Sequence, residues 1–494
     1  MSADANAGTE IDSGTADSAE EKPLESPRRL FRHPGMGAVF AAAWVVFGCA
    51  MGFGRLSDNS YFWHLRTGRW ILDHGFPAGD PFSYTAPEAH WVLQSWLAEV
   101  LYAGLDRLAG PMGVRVLCAI TGGITAYLAY RLVLRIGGDH VKGVFLNVPA
   151  VLATAMLWGE RPLFLGILAF LLLVWVVELP DSGLGRRPLI WIPLIIMLWA
   201  NVHGSWVLGG GYLVLHLLGR WLEGSPPWRG RELRLLQGSL IALVLCFANP
   251  YGYEMVTFPF HLMGMSDFLA NVAEWGSPDF RTPQGALFAA WTAVVVGVFA
   301  LAPNRPSRRD VVVAIPFLLL GMWALRNIAV APLVTLPITA RLLARPRPDP
   351  GRRTNWMLIA AIVTAGSIWV GNLATKPNYE LDDYPVAAMH AMQDRGLLGQ
   401  RLFTSDVWGA YTLLEYSSKQ KVFIDDRYDM YPKKLLFEYL DVLNVQPNWE
   451  KVLDEHRVSV VMWHTEHPLT RLLDLSPHWQ RVYQDKTASV YVRK

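Results

Sequence analysis

The chain has 494 residues, of which 52% are hydrophobic and only 17% charged, against the roughly 25% charged residues usual for soluble domains. Its mean hydropathy of +0.23 fits a protein that passes a membrane many times, with a minority of soluble structure. The net charge of +2 removes any bulk electrostatic case for nucleic acid. Three scattered cysteines, Cys49, Cys118 and Cys246, all lie in apolar stretches. Their spacing excludes a disulfide framework or a cysteine-based zinc site, so they read as small buried hydrophobes.

The amino-terminal residues 1–34 are acidic and rich in Ser and Ala at first, with basic residues at the end. They read as a disordered cytoplasmic tail, without the basic-then-apolar order of a signal peptide. Apolar segments follow at Gly35 to Gly54, Met112 to Val133, Val144 to Trp158, Leu163 to Leu179, Leu189 to Ala200, Trp206 to Leu222, Leu235 to Ala248, Gly285 to Leu301, Val311 to Ala324, Ile328 to Leu343 and Trp356 to Leu373. A span needs about 20 apolar residues, fewer when it is packed among other helices. The fold class expected is a polytopic α-helical membrane protein of about eleven transmembrane helices over residues 35–374, with a carboxyl-terminal extracytoplasmic α/β domain over 375–494.

Basic residues collect in alternate loops, at Arg28/Arg29/Arg32, Arg131/Arg135/Lys142, Arg186/Arg187, Arg220/Arg229/Arg231/Arg234, Arg305/Arg308/Arg309 and Arg341/Arg345/Arg347. By the positive-inside rule these loops and the amino terminus are cytoplasmic, and an odd span count leaves the carboxyl terminus outside. The outer face then collects residues 55–111, "WGERP" (158–162), "ANVHGSW" (200–206), residues 248–283 and "LRN" (325–327).

The first outer loop opens with "LSDNSYFWHLRTGRW" (56–70). Asp58 sits where the apolar run ends, as an N-terminal cap, and Tyr61 to Asp73 reads as a helix along the membrane surface, closed by His74 and Gly75. Tyr61, Phe62, Leu65 and Leu72 share one face, and Trp63, Arg66 and Trp70 another. An aromatic belt accounts for the tryptophans but not for His64 with Arg66. A turn around Asp80 leads into a second juxtamembrane helix.

This order resembles the GT-C superfamily of polyprenyl-phosphate-sugar-dependent glycosyltransferases, and within it a poorly characterised bacterial branch. The resemblance rests on an apolar first span, an acid at its end, a helix ending "HG", "DPFSYTAP" and a helix ending "LAG". It extends to "RPLF", "LWANVHGSW", "NPYG", "RNIAVAPL" and the tail "YPVAAMHAMQDRG…DVWGAYTLLEYSSKQKVFIDDRYDMY". One departure is that Asp58 is followed by Asn59, where better-studied members often carry paired acids.

The chemistry also stands without the name. Sugar transfer from a lipid phosphate needs a base for the incoming hydroxyl and cations for the departing phosphate. Asp58 is the candidate base, and Arg66, Arg161 and Arg326 compete for the phosphate, because a guanidinium matches phosphate oxygens. Arg326 interrupts a long apolar stretch, where a charge costs about 2.5–3.5 kcal/mol on insertion scales. Arg161 can equally form a local ion pair with Glu160. His203 reads as a histidine satisfying freed backbone at a helix break, or, with His64 and Asp58, as a ligand to a possible divalent metal. Asp80, Asp426 and Arg427 complete the candidates, with "IDDRYD" lying past a strand where it could read the acceptor.

In the tail, "RLFTS", "KVFID", "VSVVMW", "WQRVYQ" and "ASVYVR" read as strands of a mainly parallel sheet closed by an antiparallel hairpin. No internal repeat, glycine-rich phosphate loop or nucleophile elbow is present. The function expected is transfer of a sugar from a polyprenyl-phosphate donor to a glycan, lipid or protein acceptor of the envelope, in contact with the bilayer. A lipid-linked saccharide transporter, or a non-catalytic envelope-assembly protein with a degenerate site, are the alternatives. Outer-side clustering of polar groups argues against the transporter.

Overall fold

The computed structural model describes residues 33–494; the amino-terminal tail expectation for residues 1–34 falls almost wholly outside them. The bundle comprises α1 (Met36–Gly52), α4 (Pro111–Gly137), α5 (His140–Ala155), α6 (Pro162–Glu178), α7 (Pro188–Val202), α8 (Trp206–Leu222), α9 (Gly230–Leu245), α12 (Pro283–Leu301), α13 (Arg308–Trp323), α14 (Ala331–Leu342) and α15 (Arg353–Ala374). Each of the eleven apolar segments falls on one of these helices. By length and composition, α4, α12 and α15 can each cross a membrane, while α1, α5, α6 and α7 are shorter apolar helices.

Small residues set how closely the first helices pack. Gly48 and Gly52 lie one turn apart on α1, and a Cβ at either would stand 2.2 Å from a carbonyl oxygen of α4, that of Gly122 or Cys118. Backbones can approach this closely only without side chains, and the contact fixes where α1 ends, just before Asp58. Arg115 of α4, almost fully buried, then ties off that end: it donates to the carbonyls of Gly54 (2.9 Å) and Leu373 (2.8 Å) and to Asn378 Oδ1 (2.9 Å).

The two chains leaving the bundle pair beyond this point, with Leu56 donating to Asn378 O at 2.8 Å and Glu380 donating to Leu56 O at 3.0 Å. Between α1 and α4 run α2 (Asn59–His74) and α3 (Trp96–Ala109). The surface-helix expectation for α2 is corrected. Tyr61, Phe62 and Leu65 are fully buried and Trp63 nearly so, because α2 lies between α3 and α17 (Asp406–Tyr416) of the tail. Phe62 meets Tyr379, Tyr384 and Tyr411, and Trp63 meets Trp91. Both faces of α2 are apolar, so both are covered; only its far end, at Leu72, reaches the surface.

After α15 come α16 (Val386–Asp394), β1 (Leu402–Phe403), α17, α18 (Lys433–Leu443), α19 (Trp449–Glu455), β2 (Val460–His464), α20 (Pro468–Leu475), β3 (Trp479–Gln484) and β4 (Ala488–Arg493). The sheet order is β1-β2-β4-β3. Only β1·β2 is parallel among the named strands, and β2·β4 and β3·β4 are antiparallel, so the mainly parallel sheet is corrected and the final hairpin is present. "KVFID" forms no strand of its own. Val422 instead bridges Leu402 on one side and Ser83 of the first loop on the other, with Tyr84 N–H and Val422 N–H donating across to Val422 O and Phe82 O at 3.1 Å each. The first loop thus continues the edge of the tail's sheet.

A buried ion triad locks this seam. Arg427 donates from Nε and Nη2 to the two oxygens of Asp425 (2.7 and 2.6 Å) and from Nη1 to Asp80 Oδ1 (2.8 Å). All three side chains are 0% exposed, and the guanidinium stacks over Trp91 and Phe82. Burial raises the Asp80 carboxyl, but Arg427 outweighs it and holds it below the usual range. Removing one partner of such a group costs about 3–5 kcal/mol, since the remaining charges stay buried without compensation. Arg427→Ala should therefore lower the melting temperature and expose the junction near residue 375 to limited proteolysis; a melt and a digest matching wild type would contradict the triad's role.

Asp429, on the same loop, is pushed up to about 6 by burial, against the opposing pull of Arg427 and His261. A carboxyl held above its unfolded value stabilises the fold most below pH 4, and that contribution is lost as pH rises through about 6. Asp429→Asn should melt higher than wild type at pH 7.5, with the difference closing toward pH 4. An equal difference at both pH values would contradict this assignment.

Candidate active site

Asp58 caps α2, its Oδ1 accepting from Ser60 N–H at 2.8 Å. Its other oxygen meets Arg161 Nε, and Arg161 Nη1 meets Glu274 on the short turn Ala273–Trp275. Burial opposes the charge on Arg161, but Asp58 and Glu274 outweigh it and push its pKa up. Three separate segments thus converge: the start of α2, the turn between α5 and α6, and the approach to α12.

The local Glu160–Arg161 pair is corrected. Glu160 turns to the backbone, accepting from Ser57 N–H at 2.5 Å and Asp58 N–H at 2.8 Å. Burial and the neighbouring Asp58 charge raise its pKa. Glu160 therefore orients the segment that carries Asp58. Arg326 lies close by on the turn Leu325–Ala329, its guanidinium 4.3 Å over the Trp275 ring, and that turn is stitched to the Glu274 loop by Leu325 N–H to Gly276 O at 2.9 Å. Among the described residues Arg326 has no carboxylate at ion-pair distance; burial lowers its pKa, Glu274 pulls the other way, and Arg161 nearby adds to the lowering. A cation in that position favours an anion.

His203 marks the break between α7 and α8. Its Nδ1 accepts from Ser205 N–H at 3.1 Å and lies 2.8 Å from Ser205 Oγ, so the ring satisfies freed backbone through an amide rather than a carbonyl. This bond assigns the neutral ring's proton to Nε2. Burial, then Arg326 and Arg161, bring its pKa down to about 3. His64 has its Nδ1 2.8 Å from Glu99 Oε1. Burial, with His203 nearby, pushes His64 down, and burial pushes Glu99 up. Gly68 permits this approach of α2 to α3, since a Cβ there would lie 1.9 Å from Glu99 O.

Arg66 does not join the cluster. Its guanidinium packs 5.6 Å over Phe82, and its Nε is buried without a partner among the described residues. Asp80 and Arg427 are committed to the buried triad. Asp426 does come to the site: its Oδ2 accepts from Asn59 Nδ2 at 2.8 Å and Ser60 Oγ at 2.5 Å, while Oδ1 is buried without a partner. Burial, with Asp425, Asp406 and Asp58 nearby, raises its pKa well above the usual range. A second acid thus stands beside Asp58, brought by the tail onto Asn59 instead of following in sequence.

Sequence reasoning missed Glu274, Glu99 and Arg115. Glu99, in the first turn of a juxtamembrane helix, and Arg115, one turn into a span, were visible as charges in apolar surroundings; nothing in spacing singles out Glu274.

The site's carboxylates do not fit a divalent ion in this arrangement. Asp58 and Glu274 are held by Arg161, Glu160 by amides and His64 by Glu99. Among the described residues no three such groups converge on one point. The set His64, His203 and Asp58 is therefore corrected as a ligand set.

At the opposite end a second charged cluster appears. Arg309 and Arg341 both meet Glu178 and Asp310, with Arg341 at 3.1 Å and 2.5 Å respectively, and Tyr212 donates to Glu178 at 2.8 Å. Polar groups thus lie at both ends of the bundle, not at one.

Neither a protein-family model nor the sequence of a curated protein matches the chain. Solved structures are similar to it, two of them as follows. One is the archaeal oligosaccharyltransferase AglB from Archaeoglobus fulgidus in complex with an inhibitory peptide and a dolichol-phosphate, at TM-score 0.52 and 12% identity over 93% of this chain and 74% of that one. The other is the Archaeoglobus fulgidus oligosaccharyltransferase in complex with Zn and sulfate, at TM-score 0.47 and 10% identity over 87% and 68%. The first of these is a likeness of fold across nearly the whole chain, helical bundle and tail together.

Proposed function

We propose that the chain is a membrane glycosyltransferase that moves a sugar from a polyprenyl-phosphate donor to a cell-envelope acceptor. The reaction would take place at the end of the bundle that carries the tail, on the extracytoplasmic side of a bacterial cytoplasmic membrane. Eleven spans, a cytoplasmic amino terminus and an outer tail belong to this reading, supported by the alternation of basic loops. The observation that carries it is the meeting of Asp58, Arg161 and Arg326, which has no ion-pair partner among the described residues, at that end. The dolichol-phosphate bound to the oligosaccharyltransferase of similar fold supports a lipid-linked phosphate as the donor class.

Arg161 and Arg326 offer two guanidiniums to the donor phosphate. Phosphate oxygens would draw Arg161 from Asp58 and Glu274, freeing an Asp58 oxygen for the acceptor. The acceptor hydroxyl then attacks the anomeric carbon and its proton passes to Asp58. The bond from that carbon to the phosphate oxygen breaks with its electron pair on the phosphate, which the arginines stabilise. A single displacement of this kind inverts the anomeric centre. The transporter reading lacks comparable support, because the charges at the opposite end pair with one another instead of lining a path.

The assay is sugar transfer by purified protein from a panel of polyprenyl-phosphate sugars. Asp58→Asn should lower kcat by about 10²–10⁴-fold with little change in KM. Arg326→Gln should weaken donor binding by roughly 10–100-fold, the loss of a charge-assisted bond. Transfer by Asp58→Asn at the wild-type rate would end the base assignment, and unchanged donor affinity in Arg326→Gln would end the phosphate assignment.

A further inference from the structure

Helix α10 (Tyr253–Met263) leaves the end of α9 and runs beneath the tail. One flank faces protein: Met255 and Phe258 are buried, Glu254 meets His90 at 3.1 Å, and His261 lies 3.3 Å from Asp429 O. The opposite flank is apolar and open. Tyr253, Phe260 and Met263 are 66%, 69% and 67% exposed, and at 100° per residue these three and Val256 fall within one narrow arc. The charged Glu254 and the imidazole of His261 lie outside that arc, on the side turned toward the loop and tail.

The open flank continues an apolar surface. Val244 and Phe247, at the adjoining end of α9, are strongly exposed, as is Trp323 at the same end of α13. In a membrane-spanning bundle those residues meet lipid, and exposed tryptophan at a helix end marks the interfacial level. We infer that α10 is an interfacial helix lying in the leaflet on the tail side, with Tyr253, Phe260 and Met263 among the acyl chains. The occupant of this face is the lipid surface, because it adjoins Val244 and Phe247, exposed apolar residues at the end of α9. The same segment runs on to Glu274, so a bilayer-held α10 brings the loop bearing the Arg161 partner to a defined depth.

The test places single cysteines at Met263, Tyr253 and Asp267 in a full-length background with Cys49, Cys118 and Cys246 replaced by Ala. Each is labelled with an environment-sensitive fluorophore after reconstitution into lipid nanodiscs. Labels at Met263→Cys and Tyr253→Cys should emit to the blue, be quenched by spin-labelled lipid and resist aqueous iodide; the label at Asp267→Cys should do the reverse. Iodide quenching at Met263→Cys and Tyr253→Cys as strong as at Asp267→Cys would overturn the inference. The readout needs no turnover, so it fails or succeeds apart from the proposed transferase activity.

Discussion

The buried triad of Asp80, Arg427 and Asp425 is the interaction on which the geometry at this end depends. A guanidinium with two carboxylates, all removed from water, holds only when every charge is met, and here each fork of Arg427 has its acceptor. The triad closes the first loop onto the tail beside the Ser83–Val422 bridge. With Asp425 and Arg427 turned inward, the residue between them, Asp426, turns to the start of α2 and takes Asn59 and Ser60. The cap of α2 is Asp58, so the tail's position bears on the one carboxylate that also meets Arg161.

Two further constraints converge on the same residue. Gly48 and Gly52 bring α1 against α4 and set the height at which α1 ends, while Glu160 holds the amides of Ser57 and Asp58 from the far side. Asp58 is thus placed by its own cap, by a neighbouring turn and by the tail. Arg326 differs in kind: it has an aromatic ring beneath it and, among the described residues, no carboxylate at ion-pair distance, Glu274 acting on it only from further off. An arrangement with one cation doubly paired and the next without an ion-pair partner has room for one more anion.

Much of this was legible in the sequence. Every apolar segment lies on a helix because burying or lipid-exposing about a score of apolar residues leaves the backbone no other partner than itself. Asp58 was readable as a cap, and Arg326 as a charge in the wrong solvent. What was not legible came from long-range pairing. The tryptophans near α2 suggested a helix along the membrane surface, yet Trp63 packs on Trp91 and Phe62 on Tyr379, Tyr384 and Tyr411 of the tail, and nothing local announces a cover more than three hundred residues away. "KVFID" has strand composition, but its edge is taken by Ser83, so it makes bridges only. Arg427 looked like a loop cation and is buried because Asp80, far off in sequence, supplies its second acid. Glu274 carries no marker at all; its meaning comes only from Arg161.

The most direct measurement is a structure of the protein in a lipid bilayer with a polyprenyl phosphate bound. The account predicts the phosphorus between Arg161 and Arg326, with Arg161 turned from Asp58 and Glu274 toward the phosphate oxygens. A phosphate seated elsewhere, with Arg161 still held between its two carboxylates, would contradict it.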